Sequence, residues 1–216
     1  MVWQLSKGGT FLVKSFYFSL AGCYPKGFPI SMVWNPWVSI RVNFFAYEAV
    51  WEKILTLDML KRRGWSLLNK SYLCKGERES ANHILLHCPK AIMLWHLIFS
   101  IFYVQWEMLF SIKEVIISWQ GAFVGKKRKK TLKATPLCVF WTLWKERNRR
   151  AFEDFERTNH AILCSFMYMF FEWVRVHIES TSLSFFYFID WLARVLFFVY
   201  PSFFWPCMHH VHFRHF

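Results

Sequence analysis

Apolar residues recur at intervals of three and four over most of the chain, which is the spacing of one face of an α-helix. The first long run predicts a helix over 42–63, with an apolar face formed by Phe45, Ala46, Ala49, Val50, Ile54, Leu57 and Leu60. Gly64 comes directly after the three cations at 61–63. It predicts where this helix ends, because glycine and cations both favour helix C-termini.

Further helices are predicted downstream of a polar stretch, 65–79, that has the composition of a loop. One helix is expected to open near Ser80. Pro89 is expected in the first turn of another, which runs to about Phe102.

Capping signals mark the later helices. Ser111 and Glu114 have the spacing of a capping box, which predicts a helix that starts just after them. The pattern after Pro136 predicts a helix to Phe152, with its cations on the solvent face. Thr158 is expected to cap a helix over about 159–178.

Composition strengthens the helical prediction and suggests a partner. Apolar residues make up 55% of the chain and aromatic residues 21%, with few glycines and prolines, so we expect a mainly α, well-packed protein. The formal charge of +13 suits a polyanion, either nucleic acid or an anionic membrane surface, although a solvated basic surface is the simpler interpretation. Nothing in the pattern indicates a small-molecule substrate, and the oligomeric state is left open.

Six scattered cysteines do not resemble the disulfide framework of a small secreted domain. The first residues also lack the pattern of a signal peptide. We therefore expect an intracellular protein, nuclear or cytoplasmic, with a membrane location as the alternative.

The stretch from Ser71 to Cys88 has the pattern of a metal site. Cys74, His83 and Cys88 match a C-x₂-C-x₈-H-x₄-C zinc motif in which Ser71 stands at the first cysteine position. A serine hydroxyl is a poor replacement, since structural zinc takes thiolate or imidazole ligands. His87 is a possible substitute ligand. The alternative is that both cysteines are small core residues and His83 is a core histidine.

Two stretches are candidates for nucleic-acid binding. The first is a basic run that also has the form of a nuclear localisation patch: Lys126, Lys127, Arg128, Lys129 and Lys130. The second interleaves aromatics and cations, which suits base stacking with phosphate contact: Trp141, Trp144, Lys145, Arg147, Arg149 and Arg150. The alternative for the second stretch is that its tryptophans are core residues and its cations are solvated.

Catalysis is not predicted. Polymerase and ribonuclease H chemistry need clustered carboxylates that hold two metal ions. The chain has only three aspartates, Asp58, Asp154 and Asp190, and they are far apart in sequence.

The apolar segment 183–205 is the basis of a competing prediction, membrane anchoring. It is about long enough to span a bilayer. Asp190 and Arg194 oppose insertion, although their i,i+4 spacing allows them to pair.

Three blocks resemble the plant reverse-transcriptase zinc-binding domain of non-LTR (LINE-type) retrotransposon polyproteins. They are FLVKSFY at 11–17, VNFFAYEA with ILTLDMLKRRGW over 42–65, and LCKGERESANHILLHC at 73–88. The segments GKKRKK at 125–130 and PLCVFWTLWKERNRRAF at 136–152 resemble the region downstream of the domain in such elements, and the similarity fades near 188–192.

The resemblance implies that Cys74, His83 and Cys88 bind Zn²⁺ and that Ser71 replaces the first ligand. It also implies three regions: a zinc-binding-like domain at 11–95, a basic helical extension at 96–180, and an apolar, His-rich tail at 181–216 that is degenerate or poorly ordered. We therefore expect a mainly α protein, a small helical zinc-finger-like domain with a helical, aromatic-rich C-terminal extension. Its expected function is non-catalytic, retrotransposon-derived and associated with RNA or single-stranded DNA. The alternatives are a membrane-associated protein and a relic without a selected function.

Overall fold

A computed structural model describes residues 27–102, 109–119 and 126–177, with the side chains of 126–132, 176 and 177 left out. Within these residues the protein is helical and has no strand, so the mainly α prediction is confirmed. The tail at 181–216, including the predicted membrane segment 183–205, lies outside the described residues, as do residues 11–26 of the predicted domain. None of the helices that the structure describes is long and apolar enough to cross a bilayer.

The described residues form seven α-helices and one π-helical turn. In chain order the bounds are α1 Ile30–Val33, α2 Ile40–Val50, α3 Leu57–Arg62, the π-turn His83–His87, α4 Pro89–Phe102, α5 Ile112–Trp119, α6 Lys126–Phe152 and α7 Asn159–His177. Helix α6 lies at the centre and packs against α1, α2, the π-turn, α4 and α7.

The prediction of a single helix over 42–63 is wrong, because the first helix ends at Val50 and a second begins at Leu57. The N–H of Lys53 donates to the carbonyl of Glu48 at 2.8 Å, and the N–H of Glu52 donates to the carbonyl of Ala49 at 2.9 Å. Glu52 itself has a φ of 52°. This pair of hydrogen bonds around a left-handed residue is a Schellman motif, which normally uses glycine. The apolar spacing continued past the break and concealed it.

The predicted stop at Gly64 is confirmed. Gly64 has a φ of 91°, and the N–H of Trp65 donates to the carbonyl of Leu60 at 3.1 Å. This is again a Schellman termination, here with the residue that tolerates a left-handed conformation at least cost.

Several predicted helix starts are also confirmed. Helix α4 begins at Pro89 and ends at Phe102. Ser111 and Glu114 form the capping box of α5, with reciprocal bonds of 3.2 and 3.3 Å. The Thr158 hydroxyl accepts the N–H of Ala161 at the start of α7.

The helix predicted to begin after Pro136 begins instead at Lys126 and contains Pro136. Proline lacks the N–H that an interior helical position donates, so its position in the sequence indicated a helix start.

One continuous core joins residues on both sides of the predicted boundary at 95. Trp95 packs edge-on against Trp119 at 5.6 Å and Phe140 at 6.0 Å between ring centroids. Phe45 of α2 packs against Trp141 and Trp144 of α6 at 5.4 and 5.3 Å. Helix α6 also contacts the π-turn and therefore packs behind the residues of the candidate metal site.

Candidate metal centre

A tight loop positions Cys74. The N–H of Ser71 donates to the carbonyl of Glu77, and the N–H of Lys75 donates to the carbonyl of Ser71, both at 2.8 Å. Lys75 has a φ of 58°, which reverses the chain directly after the cysteine. The loop is therefore closed by its own backbone and presents Cys74 on a short, constrained turn.

His83 is the first residue of the π-turn, and Cys88 comes directly after its last residue. In an α-helix, residues five apart point roughly 140° away from each other. Here the N–H of Cys88 donates to the carbonyl of His83 at 2.6 Å, the i→i+5 bond of a π-turn. The wider turn brings Cys88 back to the side of His83, so a local departure from α geometry assembles the pair.

The three predicted ligands come together. The Sγ of Cys74 lies 3.3 Å from the Nε2 of His83, and the ligand atoms of Cys74, His83 and Cys88 all lie within 4.8 Å of one another. Zinc bonds of about 2.3 Å to sulfur and 2.0–2.1 Å to nitrogen place tetrahedral ligand atoms at similar mutual distances. Both cysteines are free thiols. The donor set therefore fits a zinc ion, and in the part of the chain that the structure describes no second such group occurs.

The two thiols differ in acidity. Burial raises the pKa of the Cys74 thiol, but N–H donors from Gly76 and Glu77 and the Ser71 and Cys88 side chains outweigh burial and lower it overall. Burial, with the neighbouring Cys74, raises the pKa of Cys88 to about 11. Burial also lowers the pKa of His83, which favours the neutral imidazole that metals bind. Since a metal binds the thiolate, the raised pKa of Cys88 makes the loss of its proton the more costly deprotonation when a metal binds.

Ser71 lies beside the cluster and is only 1% exposed. Its hydroxyl oxygen accepts the N–H of Leu73 at 3.2 Å, and its side chain hydrogen-bonds to the Cys74 thiol. His87, the possible substitute, is exposed and places its Nε2 3.1 Å from the carbonyl oxygen of Phe110. The structure thus brings Cys74, His83 and Cys88 together and leaves His87 outside the group.

A buried ion pair supports the loop at 71–79 that carries Cys74, which we call the metal loop. The carboxylate of Glu79 is fully buried and accepts the N–H groups of Leu57 and Tyr72, both at 3.1 Å. It also accepts two bonds from Arg147, at 2.6 and 3.1 Å. The Arg147 guanidinium lies 5.2 Å from the ring centroids of both Tyr72 and Trp144. Glu79 therefore fastens α3 and the loop to α6.

The prediction that Arg147 and Arg150 lie on the solvent face of their helix is wrong. They are 3% and 6% exposed. Arg150 pairs with Glu146 at 2.8 Å and donates to the carbonyl of Leu73, next to Cys74, at 2.9 Å. Both arginines are internal struts, that is, buried side chains that join α6 to other segments, because buried carboxylates face them. Glu79 comes from a distant segment, and the i,i+4 spacing of Glu146 and Arg150 allows a pair but does not show that the pair is buried.

The other predicted nucleic-acid residues have different surroundings. Trp144 stacks on Phe45 and is half-buried. Lys145 is exposed, and Arg149 pairs with Glu146 at 3.1 Å and Glu153 at 3.5 Å. Residues 126–130 form the first turns of α6, and their side chains are outside the described part.

An exposed basic and aromatic surface was missed by the sequence analysis. We call it the 61–70 surface, formed by Lys61, Arg63, Trp65, Leu68 and Lys70, all of which are exposed. Trp65 is 62% and Leu68 83% exposed. The three cations have no carboxylate of the described residues within ion-pair distance. The sequence did contain a sign of this surface, because the chain has no acidic residue from Met59 to Gly76 that could pair with these cations locally.

Comparison with known proteins agrees with this site. The family described as zinc-binding in reverse transcriptase matches residues 11–95, a range that contains all three clustered ligands. Residues 11–95 are therefore similar to that family. No curated protein and no solved structure matches the chain.

Proposed function

We propose that this chain is a non-catalytic, retrotransposon-derived zinc-binding protein that associates with single-stranded nucleic acid in the nucleus or cytoplasm. The observation that carries the proposal is the convergence of Cys74, His83 and Cys88 within a region similar to the zinc-binding family. Three protein ligands leave a fourth position to water or to the neighbouring Ser71 hydroxyl, so we expect zinc to bind more weakly than at a four-ligand structural site.

The nucleic-acid part of the proposal is supported by the 61–70 surface. Exposed Trp65 offers a face on which a base can stack, and Lys61, Arg63 and Lys70 offer phosphate contacts. The formal charge of +13 favours a polyanionic partner. A single strand suits this surface better than a duplex, because stacking on an exposed ring requires an unpaired base.

The non-catalytic part is supported by the surroundings of the acidic groups. Asp58 is engaged by the Thr56 hydroxyl and, at 3.3 Å, by Arg62. Glu79 and Glu146 are occupied by buried arginines. These carboxylates serve the fold, and we therefore assign the metal a structural role.

Metal content of the full chain tests the zinc proposal. Wild type and Ser71→Cys are titrated with Co²⁺, whose thiolate charge-transfer absorption reports cysteine ligation, and zinc per chain is then measured. We expect one metal per chain in both, with tighter binding by Ser71→Cys and affinity that rises with pH because Cys88 must lose its proton. Cys164→Ser changes a half-buried cysteine outside the cluster and should bind like wild type.

Equal metal affinity in wild type and Ser71→Cys would show that position 71 does not face the ion. Absence of thiolate absorption in both proteins would refute the zinc proposal. The full chain is required because Arg147 and Arg150 of α6 hold the metal loop in place.

A salt titration tests the nucleic-acid proposal. The affinity of the full chain for oligothymidylate should fall steeply as salt rises, since each phosphate contact releases counterions. Flat salt dependence, or no binding, would overturn it.

A further inference from the structure

A small polar cleft between α6 and α7 is separate from the metal cluster. It has a volume of about 80 Å³, and its wall includes Lys145, Glu146, Arg149, Arg157 and Ser165. Three cations and one carboxylate therefore face a single concave space. Arg149 pairs with Glu146 at 3.1 Å and with Glu153 at 3.5 Å, so the excess positive charge of the cleft comes from Lys145 and Arg157.

The carboxylate of Glu146 already accepts three hydrogen bonds. Its oxygens accept Arg150 Nε at 2.8 Å, Arg149 Nη1 at 3.1 Å and the backbone N–H of Arg157 at 3.1 Å. Glu146 therefore has little capacity left for the other cations of the cleft.

Two of the cations have no carboxylate partner among the described residues. The Nζ of Lys145 lies 3.6 Å from the thioether sulfur of Met169, which is a weak acceptor. The guanidinium of Arg157 donates to the Ser165 hydroxyl at 3.1 Å and to no carboxylate. Although Lys145 is exposed as a residue, partial desolvation lowers its pKa, and the charges of Arg157 and Arg149 lower it further, against an opposing effect of Cys138. The positive charges of Arg157 and Arg149 are therefore felt at Lys145.

We propose that this cleft binds a phosphate group between Lys145, Arg149 and Arg157. A tetrahedral oxyanion suits these donors, because one ammonium and two guanidinium groups line the same cleft and each can supply charge-assisted hydrogen bonds. The Ser165 hydroxyl accepts from Arg157, so its own proton remains available to a phosphate oxygen. A cleft of about 80 Å³ has room for one such group.

The phosphate has two possible sources, a phosphodiester of a bound strand and free inorganic phosphate. The first source rests on the proposed nucleic-acid function and deepens it, since the cleft would hold one backbone phosphate of the strand. The cleft itself does not depend on that function, and the experiment separates the two.

The test uses inorganic phosphate and the full chain. Phosphorus NMR of wild type should show a saturable change in the phosphate resonance. Calorimetry should show binding that weakens about tenfold for each cation removed in Lys145→Gln and Lys145→Gln/Arg157→Gln. Arg41→Gln/Lys113→Gln removes two exposed cations outside the cleft and should bind like wild type. Lys145→Arg keeps the charge and should retain binding.

Several outcomes decide the proposal. The proposal is overturned if wild type gives no saturable phosphate signal. This result does not depend on any variant, so it holds even if a variant does not fold. Equal losses in the cleft and control variants also overturn it, because they would indicate non-specific attraction.

Oligothymidylate then identifies the source. Displacement of phosphate by the strand supports a phosphodiester ligand. If phosphate binds and the strand does not displace it, the cleft stands as a free-phosphate site and its link to the strand is refuted. If the strand binds but phosphate does not, the proposed phosphate site is refuted and the proposed nucleic-acid function is retained.

Discussion

Two segments of this protein interleave tryptophan with cations, and the fold treats them in opposite ways. In the 61–70 surface, Trp65 is 62% exposed and the cations reach solvent. In the 144–150 segment of α6, Trp144 stacks on Phe45, and Arg147 is 3% exposed. Similar composition therefore gives a surface in one place and internal struts in the other.

The difference arises from the carboxylates. Glu146 lies inside the α6 segment, and Glu79 reaches it from the metal loop, so Arg147 and Arg150 can be buried as pairs. The 61–70 surface lies in a stretch without acidic residues, from Met59 to Gly76. Its cations have no carboxylate partner among the described residues and are exposed to water. A buried cation requires a partner, since the cost of removing an isolated charge from water is offset only when an opposite charge and hydrogen bonds face it.

The largest effect on stability is expected at Arg147. Arg147→Ala should lower the free energy of unfolding by about 3–5 kcal/mol, because it leaves the buried Glu79 carboxylate unpaired. Urea unfolding followed by circular dichroism measures this loss. The matched control, Arg63→Ala, should change stability by less than about 0.5 kcal/mol. Similar losses of stability in Arg147→Ala and Arg63→Ala would contradict the distinction between buried, paired cations and exposed ones.

A smaller loss is expected at Arg150. Arg150→Ala should cost about 1–3 kcal/mol, since Glu146 keeps its bond to Arg149 while the carbonyl of Leu73 loses its donor. The same urea experiment applies, and Co²⁺ binding should also weaken because Leu73 precedes Cys74. Unchanged Co²⁺ affinity together with lost stability would mean that this strut supports the helix and not the metal loop.

Trp65→Ala should leave stability within about 0.5 kcal/mol of wild type, because most of the ring is in water. Binding of oligothymidylate should weaken by about 1–3 kcal/mol if one base stacks on this ring. Fluorescence anisotropy measures the affinity. Tyr168→Ala, an exposed aromatic on α7, is the control and should bind like wild type.

The smallest effect on stability is expected from Lys61→Ala/Arg63→Ala/Lys70→Ala, whose side chains are all exposed. Its effect is measured in the salt titration. The slope of the logarithm of affinity against the logarithm of salt should fall by about 2, at roughly 0.7 for each lost phosphate contact on a single strand. A slope identical to that of wild type would exclude this surface as the site of contact.

Local signals predicted the elements that depend on local chemistry. Gly64, Pro89, the Ser111–Glu114 capping box and Thr158 each marked a helix end, because capping is decided by a few neighbouring residues. The break at Glu52 was not predictable in the same way. A left-handed glutamate is uncommon, and here Asn82 of the segment before the π-turn holds its carboxylate at 2.8 Å.

The helical and basic character of the protein follows from its composition and from short-range spacing, and the spacing of Cys74, His83 and Cys88 marks the candidate metal site for the same reason. Which cations are buried depends on long-range packing, because the partners lie 68 positions apart for Glu79 and Arg147 and 77 for Leu73 and Arg150. How Cys88 returns to His83 likewise depends on the folded structure, since the π-turn is a geometry that the ligand spacing alone does not specify.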